Sequence, residues 1–127
     1  MAFNWRDYLR LAEDLYEQNT EAHYRTAVGR AYYAIFNILK IKAGYRKADG
    51  SFHQDFISVL KIADDNIVDK LNISASNLTT IGIYLDSLRK ERNFADYDGL
   101  QRFDEARASQ SLEKVKAIFQ IYEEANS

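Results

Sequence analysis

Residues Thr20 to Ala43 read TEAHYRTAVGRAYYAIFNILKIKA. Ala27, Val28, Ala31, Tyr32, Ile35 and Leu39 fall at the i, i+3, i+4 spacing of an α-helix. Tyr33, Ala34, Phe36 and Ile38 occupy the other side, so Ala31 to Leu39 is apolar nearly all round. A helix apolar on every face has to be surrounded by protein. At about 1.5 Å per residue it runs for roughly 35 Å, the width of a small domain. The stretch therefore predicts a central helix on which the others pack.

Arg30 stands directly before the densest part of this run, with Tyr33 and Asn37 at i+3 and i+7 on the same side. A guanidinium entering a core needs an acceptor, because an unpaired buried charge is strongly unfavourable. Two solutions exist: a carboxylate from another helix, or a cleft that takes an anion.

Outward from this helix, the remaining chain reads as further amphipathic helices. Asn4 to Gln18 predicts a first helix with Trp5, Tyr8, Leu9, Ala12, Leu15 and Tyr16 in one stripe. Asn19 or Thr20 caps the central helix, the short link makes the two helices neighbours, and Gly44 ends the second. Lys40, Lys42, Arg46 and Lys47 form a basic patch near that end, suited either to the helix C-terminus or to phosphate. Ser51 to Gln54 has the form of a capping box, opening a third helix over Phe52 to Leu71. Its acids Asp64, Asp65 and Asp69 read as solvated helix surface rather than a metal site. A fourth helix starts near Asn77 or Leu78, with Leu78, Ile81, Leu85 and Leu88 inward. One further step of that stripe places Arg92 on the core-facing side. The last helix covers Asp104 to Ala125. The expected architecture is all-α, a bundle of four long helices plus a fifth C-terminal one, in a single domain over residues 1–127.

Composition sets the outer bounds. There is no cysteine, which excludes disulfides and thiolate metal sites, and no proline to break helices. No apolar run reaches the roughly 18 residues of a membrane-spanning helix, and no signal pattern opens the chain, so a cytoplasmic location and no membrane partner are expected. A net charge of −2 excludes a general nucleic-acid coater, though not a local basic cleft. His23 and His53 lack a third ligand nearby, so no metal is expected. His23 reads as a surface residue of the central helix.

Two inward arginines from different helices with tyrosines beside them form a pattern that holds phosphate. On spacing alone, the other reading is an ion pair of Arg30 or Arg92 with Asp96. WRDYLRLAEDL (Trp5 to Leu15), EAHYRTAVGRAYYAIF (Glu21 to Phe36), His53 and IGIYLDSLRKERNFADY (Ile81 to Tyr97) together resemble the HEPN superfamily in its short prokaryotic form. The resemblance implies an all-α HEPN-type bundle and a homodimer whose two arginine motifs meet in a cleft. It implies either a metal-independent endoribonuclease of a toxin–antitoxin or phage-defence system, or a partner of a nucleotidyltransferase antitoxin that modifies a HEPN tyrosine. No cofactor is implied.

The family's ribonuclease motif is an arginine followed four to six residues later by a histidine. From Arg92 that window holds Tyr97, Asp98 and Gly99, and from Arg89 it holds Phe94, Ala95 and Asp96, so the histidine is missing. The resemblance carries Arg92 over as the phosphate contact, with Asn93, Asp96 and Tyr97 from the RNxADY variant. The expected catalytic set is Arg92, Asp96 and Tyr97; Arg30, Tyr33, Asn93 and His53 are expected to bind RNA or nucleotide. A non-catalytic module binding a nucleotidyltransferase or other protein is the alternative that the absent histidine favours.

Overall fold

The computed structural model describes residues 3–45 and 52–126, of Phe52 the backbone alone. Among the described residues the chain forms six helices: α1 (Arg6–Tyr16), α2 (Glu21–Ala43), α3 (Phe52–Lys61), α4 (Asp65–Leu71), α5 (Ala75–Tyr97) and α6 (Glu105–Ala125). Arg46, Lys47 and Ser51 lie outside the described residues, and with them part of the basic patch and the capping box.

The all-α bundle and its central helix match the expectation. α2 packs against α1, α4, α5 and α6. Val28, Ala31, Tyr32, Ala34, Ile35 and Leu39 are fully buried, which is why this helix carries apolar residues on every side. Thr20 caps it by accepting the backbone N–H of His23, and Gly44 ends it in the left-handed conformation at φ +62°.

The predicted third helix is two helices. Ile62 to Asp64 interrupt it, with Ala63 at φ +51°, outside the right-handed helical region. Asp64 then restarts the chain as the N-cap of α4, accepting from the N–H groups of Asn66 and Ile67. Its carboxylate is a capping group, not solvated mid-helix surface. α5 also begins earlier than expected, at Ala75, because Ser74 caps it through the N–H of Asn77.

Two arginines that drew no attention in the sequence hold the far end of α5. Arg25 of α2 donates to the backbone carbonyls of Ala95 (2.9 Å), Asp98 (2.7 Å) and Gln101 (2.7 Å). Arg107 of α6 grips Glu91 through Nε (3.1 Å) and Nη2 (2.8 Å) and lies 3.7 Å from the ring centroid of Phe94. With Phe103 buried beneath, these contacts make a small second core of Tyr24, Val28, Ala95, Phe103 and Ala108. Both arginines are structural.

Candidate functional site

The site is built where α1, α2, α3 and α5 converge. α2 faces α5 at Gly29, where a β-carbon would lie 3.8 Å from Arg92 Cγ and 4.0 Å from Asp96 Oδ1, ordinary contact distances. α3 packs on α5 and carries His53 toward the same region. Between them a cleft of about 350 Å³ opens, lined by Trp5, Tyr8, Arg30, Tyr33, Phe36, Asn37, Lys40 and His53. That volume suits a small organic ligand or one nucleotide of a longer chain.

Arg92 points inward as its helical phase requires, with 14% of its side chain exposed. Its guanidinium carbon sits 5.3 Å from the centroid of the Tyr33 ring, a cation–π contact. Nη1 reaches Asp96 Oδ2 only at 3.4 Å, and Asp96 itself is exposed. The Nε of Arg92 is buried and has no hydrogen-bond partner.

Arg89, one turn earlier on the same face, shares this condition. Its Nε is also buried and unpartnered, and its nearest carboxylate is Asp86 at 3.7 Å. Asp86 is already engaged by Lys61 at 2.9 Å and Lys90 at 3.4 Å. The Lys61 hydrogen bond holds the Asp86 carboxyl below its ordinary range, against the opposing effect of burial. Arg30 has no carboxylate partner among the described residues and lies 5.2 Å over the Tyr8 ring. Cations therefore outweigh the acids around the cleft.

His53 is half-buried, stacked on Phe36 with centroids 4.1 Å apart, and its Nδ1 lies 2.9 Å from the Tyr32 hydroxyl. Burial lowers its pKa, and the nearby charges of Arg92, Lys40 and Arg89 lower it further. Tyr32 is fully buried, and burial raises its hydroxyl pKa well above the ordinary phenol value, so it stays protonated.

The structure thus gathers Arg30, Tyr33 and His53 around one cleft; Arg92 and Asp96 are not among its lining residues, and Arg92 adjoins it through the Tyr33 ring. Asn93 and Tyr97 are turned away: they border a shallow depression with Lys90, Phe94 and Leu100, where Tyr97 is 80% exposed. Helical phase explains the division, since residues one and five positions after Arg92 cannot share its face. Arg30 does not pair with Asp96; Arg92 does, loosely. Tyr32, hydrogen-bonded to the cleft residue His53, had no part in the site as read from the sequence, and Arg89 was weighed there only as a start of the ribonuclease motif. Arg89 was findable at i−3 from Arg92, whereas Tyr32 was hidden inside an apolar run. Among the described residues no group of three or more His, Cys, Asp or Glu side chains is placed to hold a metal ion.

Residues 6–125 match the profile of the HEPN domain. The chain belongs to the HEPN family. An uncharacterized protein of Methanocaldococcus jannaschii is 32% identical over 113 residues, covering 76% of this chain and 61% of the relative. This HEPN chain therefore spans about three fifths of that relative's length. No solved structure matches it. No helix among the described residues is long and apolar enough to cross a membrane.

Proposed function

We propose that this HEPN domain binds the phosphate of RNA where the cleft between α1, α2 and α3 adjoins the arginines of α5, as a metal-independent endoribonuclease of a toxin–antitoxin or defence system. The observation that carries the reading is the pair of buried, unpartnered Nε–H groups of Arg89 and Arg92. Orphaned guanidinium donors are costly unless an acceptor arrives, and a phosphate offers several oxygens to such forks. Arg30 and Tyr33 extend the cationic and aromatic surface along the cleft toward Trp5 and Tyr8, where an unstacked base could lie. In a homodimer two such clefts would combine into one longer track.

The test is binding and cleavage of a labelled single-stranded RNA with chelator present, comparing wild type with Arg92→Ala. Arg92→Ala should weaken binding at least tenfold, the loss of one charge-assisted contact of about 1.5–3 kcal/mol. Unchanged affinity overturns the reading. Cleavage that disappears in the variant supports a ribonuclease; binding without cleavage by wild type reduces the proposal to an RNA-binding module.

A second reading, a nucleotidyltransferase partner, is favoured by the exposure of Tyr97 beside the fully exposed Leu100. A phenol so placed is open to a modifying enzyme. It predicts that incubation with a nucleotidyltransferase from the same organism and ATP adds a nucleotide mass to wild type but not to Tyr97→Phe.

A further inference from the structure

We propose that Asn37 reads the edge of an unpaired nucleobase: its Oδ1 accepts a hydrogen bond from an exocyclic amino group, so that the cleft prefers cytosine to uracil. This rests on the phosphate reading above and adds to it a residue that selects the base. Asn37 is only 8% exposed and is the polar residue in the otherwise apolar centre of α2, beside the buried Phe36 and Leu39. Its Nδ2 donates to the Tyr33 carbonyl at 2.8 Å. A carbonyl oxygen only accepts, so the amide nitrogen has to lie on that side and the amide oxygen on the other. Oδ1 has no hydrogen-bond partner among the described residues, and the opening that Asn37 lines is the cleft. A nearly buried acceptor without a partner is costly. Asparagine is also a poor helix former, so neither packing nor propensity accounts for it at this position.

The surroundings suit a base. Trp5 and Tyr8 of α1, edge-on with centroids 5.2 Å apart, line the cleft together with Tyr33 of α2. Aromatic faces hold a base that has left its stack, whatever its identity. Selection among bases then falls to a polar group at the edge. Arg30 lines the same cleft seven residues before Asn37, about 10 Å along the helix axis. One nucleotide spans such a distance with its phosphate toward Arg30 and its base edge at Asn37. With Nδ2 held at the Tyr33 carbonyl, the amide turns its oxygen rather than its nitrogen to the base. Cytosine meets that oxygen with the N–H donors of its amino group. Uracil carries a carbonyl oxygen in the same place, and its one ring N–H stands between two carbonyls that would oppose Oδ1.

Binding of labelled oligocytidylate and oligouridylate of equal length, at neutral pH, reads this selection on the wild-type chain. The two pyrimidines have nearly the same shape and the same backbone, so the amino group is what separates them. Oligocytidylate should bind about fivefold tighter, the worth of one neutral hydrogen bond. Asn37→Leu, close in volume and apolar like its neighbours, should bring oligocytidylate down to the level of oligouridylate and leave oligouridylate unchanged. Equal wild-type affinities overturn the inference, whether or not the variant folds. So does an Asn37→Leu variant that keeps the preference or weakens both oligonucleotides alike. Arg92→Ala separates this inference from the phosphate reading, since it should weaken both oligonucleotides by the same factor and leave the preference intact. No preference together with a full Arg92→Ala effect removes the Asn37 contact and leaves the phosphate contact standing. A preference that depends on Asn37, with no Arg92→Ala effect, does the reverse. If neither oligonucleotide binds, both fail.

Discussion

Arg25 of α2 donates a 2.7 Å hydrogen bond to the backbone carbonyl of Asp98, the residue that caps the C-terminal end of α5. The last turn of α5 contains no basic residue of its own. Arg25 supplies the missing positive charge from the neighbouring helix and satisfies carbonyls that the helix end leaves open. Its further bonds to Ala95 and Gln101 tie the following loop to the same point. Arg25→Ala should cost about 3 kcal/mol, two or so charge-assisted hydrogen bonds, read as a lower urea midpoint. Arg25→Lys should recover less than half, since one ammonium cannot span carbonyls that a planar fork reaches together.

Arg92 is the contrasting case. Its contact with Asp96 is long, Asp96 is exposed, and its Nε lacks a partner. Arg92→Ala should therefore change stability by no more than about 1 kcal/mol, in either direction. Thermal melting of Arg25→Ala and Arg92→Ala side by side checks this. A large loss for Arg92→Ala would place it with Arg25 and Arg107 as a structural residue.

The difference between these arginines marks how far the sequence could be read. The apolar periodicity of Ala27 to Leu39 and the caps at Thr20 and Gly44 are local, and they were legible. So was the inward direction of Arg92, which follows from the Leu85 and Leu88 stripe. Arg25 was not, because its partners are backbone carbonyls some seventy residues away, and carbonyls leave no trace in side-chain identity. The break at Ala63 was missed because its positive φ is carried by a residue with no turn preference; Asp64 was the available sign. Asn93 and Tyr97 were grouped with Arg92 by motif, although their helical phase sends them to another surface. The Tyr32–His53 pair is a long-range contact that neither residue announces alone.

His53 makes stability depend on pH in a defined direction. Its folded pKa is depressed, first by burial and then by Arg92, Lys40 and Arg89. The unfolded chain, with an ordinary imidazole pKa of about 6.5, therefore takes up a proton more readily than the native one. This contribution is fully present above about 6.5 and is lost as pH falls from there toward the lower native value. Melting temperature should fall across that window in wild type and fall less in His53→Gln. Equal slopes in the two proteins would mean that His53 is not the group responsible.

The seat of α3, and with it the position of His53, depends on Gly82 of α5. A β-carbon at Gly82 would lie 2.8 Å from the backbone nitrogen of Lys61 and 3.1 Å from its Cα, closer than backbone atoms tolerate. Thr79 holds the same spot by donating to the Lys61 carbonyl at 2.9 Å. Gly82→Ala must push the end of α3 off α5, an overpacking cost of about 1–3 kcal/mol that outweighs the smaller gain in helix propensity. Gly29→Ala makes the control, because its new methyl meets Arg92 Cγ at 3.8 Å, an ordinary contact. That variant should gain about 0.5–1 kcal/mol. Denaturant titration gives both signs. Because α3 carries His53, Gly82→Ala should also weaken RNA binding where Gly29→Ala leaves it near wild type. Stabilisation by Gly82→Ala would mean that α3 does not pack on α5 at this distance.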